Sequence, residues 1–305
     1  MQAASDVHLV PNSGWDERIL VARCGRLVDV FVIVTARYVV LVDTLINTAS
    51  AAALLEIARP HLAGRQLLVV NTHAHYDHAW GNQLFAGPGA TYPAPVIATR
   101  RCAEVLCSAE AEEFLRRMQE RDSGAFGGVR LTPPDITFDE RLTIAGGDLT
   151  LELFLTPGHA PDHLAIWIPE IRTLLPGDAA ESPFPFVESA ATLPQLRDSL
   201  ARMAALDPAE ALYCHAPLDA GPALIRQNMA YFDELERRCR AALARGVPAR
   251  PEEGADVAAL VGFPFVDAVP PGHTVTQPEF YIPGHAANIR ATLECYSAVE
   301  VSPPR

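Results

Sequence analysis

No C-x-x-C pair occurs in this chain of 305 residues, and its six cysteines, Cys24, Cys102, Cys107, Cys214, Cys239 and Cys295, are scattered. A chain this long builds its core without disulfide staples, so reduced and mostly buried thiols are expected. No stretch reaches the ~18 apolar residues of a membrane span. Met1 to Arg18 is polar and lacks the apolar core of a signal peptide. These absences point to a cytoplasmic protein with no membrane partner. Clustered positive charge is also missing: the formal net charge is -13. The densest basic stretch, Arg237-Arg238-Cys239-Arg240, alternates with Glu234 and Glu236 and reads as an ion-paired helix face. Nucleic acid is therefore not an expected partner.

What is present is core. Apolar residues make up 49% of the chain, enough for one large domain or two small ones. Leu27 to Asp43 reads as an antiparallel strand pair buried on both faces. Ala49 to Ala58 is helical, Leu67 to Val70 a short buried strand, and Ala79 to Phe85 a short helix closed by Gly87. Arg100 to Arg121 reads as one long amphipathic helix, and Gly124 to Gly128 as a surface loop. A second β block follows, with strands at Phe138, Arg141 to Ile144, Leu149 to Phe154, Leu164 to Ile168 and Thr173 to Leu175. Thr192 to Leu206 is helical, Ala211 to Tyr213 a short strand, and Pro222 to Arg245 a long helix.

The pattern β-β-α-β-α thus occurs roughly twice. It predicts an α/β (α+β) fold of two mixed β-sheets packed together and flanked by helices. From Pro248 the text changes, and helices at Glu252 to Val261 and from about Pro283 to Ala298 form an appendage. The expected division is a catalytic domain over residues 1–247 and a C-terminal helical extension over 248–305. That extension reads as a cap, in which His273, Tyr281, His285 and Asn288 are within reach of a substrate.

The segment Thr72-His73-Ala74-His75-Tyr76-Asp77-His78 carries the chemistry. Neutral imidazole is the commonest metal ligand in proteins, and aspartate adds a hard oxygen donor. His73 and His75 are two apart and share a direction in extended chain, whereas Asp77 and His78 are adjacent and do not. The spacing suggests two neighbouring ions. Further donors sit just beyond strand ends: His159 after Gly158, Asp178 after Gly177, and His215 after Cys214. His163 reads as a residue that orients a ligand or packs. Tyr76 and Trp80, beside the ligands, and Phe184 and Phe186, after Asp178, are candidates to bind substrate.

The string H-x-H-x-D-H, followed by Gly158-His159, Gly177-Asp178 and His215, resembles the metallo-β-lactamase-fold superfamily over roughly Ile19 to Arg245. The resemblance implies a four-layer αβ/βα sandwich. It implies one metal bound by His73, His75 and His159, a second by Asp77, His78 and His215, and a bridging Asp178. Asp77 and Asp178 are then the catalytic carboxylates. The expected cofactors are two divalent metal ions, zinc first, with iron or manganese as alternatives. The expected chemistry is attack of a hydroxide, held by the dinuclear centre, on a small ester, thioester or lactone-type substrate. The chain resembles the glyoxalase II-like branch in its Asp178 and its helical C-terminal extension, but its tail offers only Arg250 and Arg290 in place of a basic glutathione signature. The alternatives are a persulfide dioxygenase-like protein with one iron, a β-lactam hydrolase, and a non-catalytic metal-stabilised module. The expected partner is a small molecule; a homodimer is compatible with the sequence, which does not decide oligomeric state.

Overall fold

Val28 to Val34 carries almost no polar side chain, and such a run is stable only in a strand covered on both faces. The computed structural model describes residues 6–270, 272 and 274–299, and places that run in the interior of a seven-stranded sheet. Its strands are β1 (Val7–Val10), β2 (Ile19–Cys24), β3 (Val28–Val34), β4 (Tyr38–Val42), β5 (Gln66–Val70), β6 (Val96–Thr99) and β7 (Ile136–Phe138), in that spatial order. β1 to β4 pair antiparallel, while β4 to β7 pair parallel, so the sheet is mixed. Helix α1 (Thr48–Ala58) makes the crossover from β4 to β5. Its start is fixed by a reciprocal cap: the Ser50 N–H donates to Asn47 Oδ1 at 2.9 Å, and the Asn47 N–H donates to Ser50 Oγ at 3.2 Å.

The second sheet has five strands. They are β8 (Arg141–Ala145), β9 (Thr150–Leu155), β10 (Leu164–Ile168), β11 (Thr173–Leu175) and β12 (Glu210–Ala211), in the order β12-β11-β10-β9-β8. β8 to β11 pair antiparallel. The β8–β9 turn locks onto the β3–β4 turn. The Arg37 N–H donates to the Gly146 carbonyl at 3.0 Å, and the Ala36 N–H to Asp148 Oδ1 at 2.6 Å.

The chain forms two compact units: Met1–Leu155 with Asp162–Gly177, and Thr156–Pro161 with Asp178–Arg305. The first unit holds both sheets apart from β12, together with α1, α2 (Tyr76–Ala79), α3 (Arg100–Leu106), α4 (Ala109–Arg121) and α5 (Ser123–Phe126). The second is helical around α6 (Leu193–Ala205) and α7 (Ala223–Ala244), with α8 (Val257–Val261), α9 (Phe265–Ala268) and α10 (Pro278–Val299). On α7 the buried residues Leu224, Asn228, Tyr231, Leu235, Cys239 and Ala242 recur every three or four positions, one helical face. α10 covers that face, with Tyr231 Oη 2.9 Å from His285 Nδ1.

The two-sheet architecture with flanking and C-terminal helices is the one expected. Local differences have physical causes. The segment 100–121 is two helices because Ser108 turns its hydroxyl to the Ala111 N–H at 3.1 Å and starts a new helix. The glycine-rich piece at 124–128 contains a helical turn capped by Asp122. In place of the short helix expected at Ala79 to Phe85 there are two pieces: a turn of α-helix at Tyr76–Ala79, inside the histidine segment, and a 3-10 turn at Asn82–Leu84. In the extension, the helix expected from Glu252 covers only Val257–Val261, since Asp256 supplies the cap.

Candidate metal centre

Parallel strands deliver their C-terminal ends to one edge: β4 and β5 end in register, with Val42 paired to Val70, and β6 pairs Ile97 with Val70 and runs two residues further. Asp43 follows β4. Its N–H donates to the Val70 carbonyl at 2.7 Å, holding it at φ 70 in the left-handed region. Its fully buried carboxylate accepts the Thr72 N–H at 2.7 Å and the Thr72 hydroxyl at 2.8 Å, and lies 2.8 Å from His78 Nδ1. Burial pushes the Asp43 carboxyl up, and His78 opposes that shift. With Asp43 as the acceptor in this contact, His78 donates its Nδ1–H, which puts the ring's lone pair on Nε2. Thr72 Oγ1 is also 3.0 Å from His73 Nδ1; with its own hydrogen on Asp43 it accepts from that ring, so His73 too carries its lone pair on Nε2.

The three imidazoles of the segment converge. The ring centroid of His73 is 4.4 Å from that of His75 and 4.2 Å from that of His78. Asp77 Oδ2 is 3.8 Å from His78 Nε2. Behind them Asp162 accepts the Ala74 N–H at 2.8 Å, and its backbone carbonyl accepts the Thr99 hydroxyl at 3.0 Å. Burial pushes the Asp162 carboxyl up while the nearby His75 works against it. His163 is buried with its ring 5.0 Å from His73. Gly177 has φ +54, and a Cβ there would lie 2.6 Å from His163 Nε2, so this turn admits no side chain without moving that imidazole.

The second unit gathers its own donors around Asp178. Its Oδ2 is 3.7 Å from His159 Nε2 and 3.2 Å from His215 Nε2. His159 rides on Gly158, which takes φ +136 and whose Cβ would fall 2.4 Å from the Leu196 backbone in the first turn of α6. The His215 carbonyl accepts the Ser182 N–H at 3.0 Å. Glu181 is buried with Oε1 3.7 Å from His159 Nδ1.

The aromatic candidates divide. Trp80 and Phe184 are buried: Trp80 packs edge-on to Phe126 at 5.7 Å, and Phe184 stacks on Tyr231 at 4.2 Å and 9°. Tyr76 and Phe186 keep part of their surface exposed. Tyr281, His285 and Asn288 are buried, and His273 lies outside the described residues. Asp43, Asp162 and Glu181 were not singled out from sequence. Asp43 was accessible to the strand-end rule that found His159, Asp178 and His215.

Within each unit the donors are imidazole nitrogens and carboxylate oxygens, the set that suits a divalent cation such as zinc, iron or manganese. The sequence profile of the metallo-β-lactamase superfamily matches residues 25–215. That is well over half of the chain, and the chain belongs to this superfamily. Among its relatives, a hydroxyacylglutathione hydrolase of Rhodospirillum rubrum is 24% identical over 221 residues, 70% of this chain and 73% of that protein. A metallo-β-lactamase family protein from Thermus thermophilus superposes with a TM-score of 0.61 at 21% identity, covering 96% of this chain and 93% of that one. A stereoselective inverting sec-alkylsulfatase from Pseudomonas sp. gives 0.62 at 20% identity, covering 95% of this chain and 51% of that one. Among the described residues, no helix is long and apolar enough to cross a membrane.

Proposed function

We propose that this chain is a metal-dependent hydrolase of small ester, thioester or lactone-type substrates with a dinuclear centre. His73, His75 and His159 hold one ion, Asp77, His78 and His215 the second, and Asp178 serves both. The observation that carries this reading is the place of Asp178: one carboxylate oxygen faces His159 Nε2 and His215 Nε2, the imidazoles assigned to different ions. Residues 1–247 then form the catalytic domain and 248–305 its extension.

Divalent ions held by these residues, zinc first, would supply a water ionised near neutral pH and a Lewis acid for the substrate oxygen. The remaining work falls to side chains. Asp43 fixes the His78 ring, and Asp162 fixes the backbone at Ala74, between His73 and His75. Asp77 would orient the attacking water and carry its proton to the leaving group. Similarity to a hydroxyacylglutathione hydrolase favours the thioester arm. The tail's arginines speak against glutathione itself. Arg250 pairs with Glu294 at 2.6 Å, and Arg290 donates to the carbonyls of Pro251, Glu252 and Ala255.

The test is metal analysis together with a screen of esters, thioesters, lactones, β-lactams and phosphodiesters. Two ions per chain and turnover in the first three classes are expected. His78→Ala should lower the metal content toward one; an unchanged content of two defeats the ligand assignment. Asp178→Ala should reduce turnover by several orders of magnitude with the fold retained, and wild-type rates would remove its role.

A further inference from the structure

Glu181 is a carboxylate with 1% of its surface exposed, and burying such a group is costly unless its oxygens are engaged. Oε1 lies 3.7 Å from His159 Nδ1. Oε2 accepts the hydroxyl of Tyr281 on α10 at 2.9 Å. The backbone at this position is clamped by one side chain on α7: the Glu181 N–H donates to Asn228 Oδ1 at 3.0 Å, and Asn228 Nδ2 donates to the Glu181 carbonyl at 2.9 Å. The rest of the loop is pinned by α10. Asn288 accepts the Val187 N–H at 2.9 Å and donates to the Pro185 carbonyl at 3.0 Å. A buried acid held on so many sides is placed for a purpose, and the group it faces is the imidazole of His159.

We infer that Glu181 is the positioning residue for His159, and that Tyr281 of α10 holds Glu181 in place. The C-terminal helix is thereby part of the metal-binding machinery. The inference rests on the reading of His159 as a ligand. The contact at 3.7 Å is an ion-pair distance, and closing it to a hydrogen bond takes ~0.8 Å of ring or carboxylate motion. Once closed, His159 donates Nδ1–H to Glu181, the lone pair is committed to Nε2, and the ring becomes a stronger donor toward the ion. Nε2 is already turned to Asp178. The hydroxyl of Tyr281 stops Glu181 from rotating away, so its effect on the ion is indirect and smaller.

Four variants of the full chain test this: His159→Ala, Glu181→Ala, Glu181→Gln and Tyr281→Phe. Each is stripped and reloaded with zinc against a competing chelator. Each is also loaded with cobalt for its visible spectrum, and melted metal-free. Glu181→Ala should weaken zinc binding by ~10–100-fold and shift the cobalt bands. Glu181→Gln, which keeps an acceptor oxygen, should recover part of that loss. Tyr281→Phe should weaken zinc by a smaller factor and lower the metal-free melt modestly, since it takes this donor from a buried Glu181 oxygen. If His159→Ala loses affinity while the Glu181 and Tyr281 variants stay within about twofold of wild type, the inference falls and the ligand assignment stands. If His159→Ala itself binds zinc normally, the assignment falls first. Unchanged affinity with reduced kcat would make Glu181 a substrate contact and overturn the positioning role. Should Glu181→Ala fail to fold, Tyr281→Phe, which removes one hydroxyl, decides the matter.

Discussion

Asp43 shows how much one side chain can carry. It accepts the Thr72 N–H and hydroxyl and the Nδ1–H of His78 from within a fully buried position. Asp43→Ala leaves all three donors without that acceptor, so a loss of ~3–5 kcal/mol in denaturant unfolding of the metal-free protein is expected. Asp43→Asn keeps the shape and loses the charge. It should fold, yet bind the His78-side ion ~10–100-fold more weakly in chelator competition. An Asn variant with wild-type affinity would mean that His78 needs no carboxylate behind it. Reading strand ends for His and Asp found three of the later donors. It passed over Asp43, because a single acid after an apolar strand has the same appearance as any turn residue. His285 gives a prediction of the opposite kind. Burial pulls its pKa below the ordinary histidine value, against the opposing hydrogen bond to the Phe263 carbonyl. The unfolded chain takes up this proton near pH ~6.5 and the native protein only at lower pH, so the unfolded state binds more protons in between. Stability from this site is full above pH ~6.5 and declines as pH falls toward the folded value. Metal-free wild type should therefore lose more stability between pH 7 and 5 than His285→Gln does; equal slopes would show that His285 contributes nothing to acid sensitivity.

At the scale of elements, legibility followed length and periodicity. β10 and the cores of α1, α6 and α7 were readable because each is a sustained apolar pattern of one period. β1, β2 and β6 were not singled out. β1 has two exposed residues of four, and β6 is four residues long, too short to show any period. The start of α10 was placed at about Pro283; the helix begins at Pro278, and Pro283 sits inside it. The break between α3 and α4 turns on one hydroxyl. Ser108→Ala removes the acceptor of the Ala111 N–H and should cost ~1 kcal/mol, read as a shift in the urea midpoint with unchanged slope. No shift would mean that packing of Met118 and Phe126 under this helix, not the cap, sets where it starts.

The whole molecule was legible as a doubled β-β-α-β-α pattern, two mixed sheets with flanking helices. Residues 156–161 belong with the second unit and 162–177 with the first, an exchange that no change of composition marks. Composition does constrain mechanism: all 24 basic side chains are arginine, so covalent catalysis through a lysine imine is excluded. Metal chemistry is what remains prominent, and it links function to stability. The seven proposed donors come from four separate places along the chain: the segment 73–78 and residues 159, 178 and 215. An unfolded chain does not gather these, apart from weak binding by the segment 73–78, so an ion that binds the native state raises its stability by RT ln(1 + [M]/Kd). At free zinc a thousandfold above Kd this amounts to ~4 kcal/mol, growing by ~1.4 kcal/mol per further decade. Chelation should therefore lower the melting temperature and abolish turnover together, and graded return of zinc should restore both. In the proposed assignment His215 serves one ion only, so in His215→Ala the increment should shrink but persist. A melting temperature indifferent to chelator, in protein shown by analysis to have carried metal, would mean that the ion sits outside these donors.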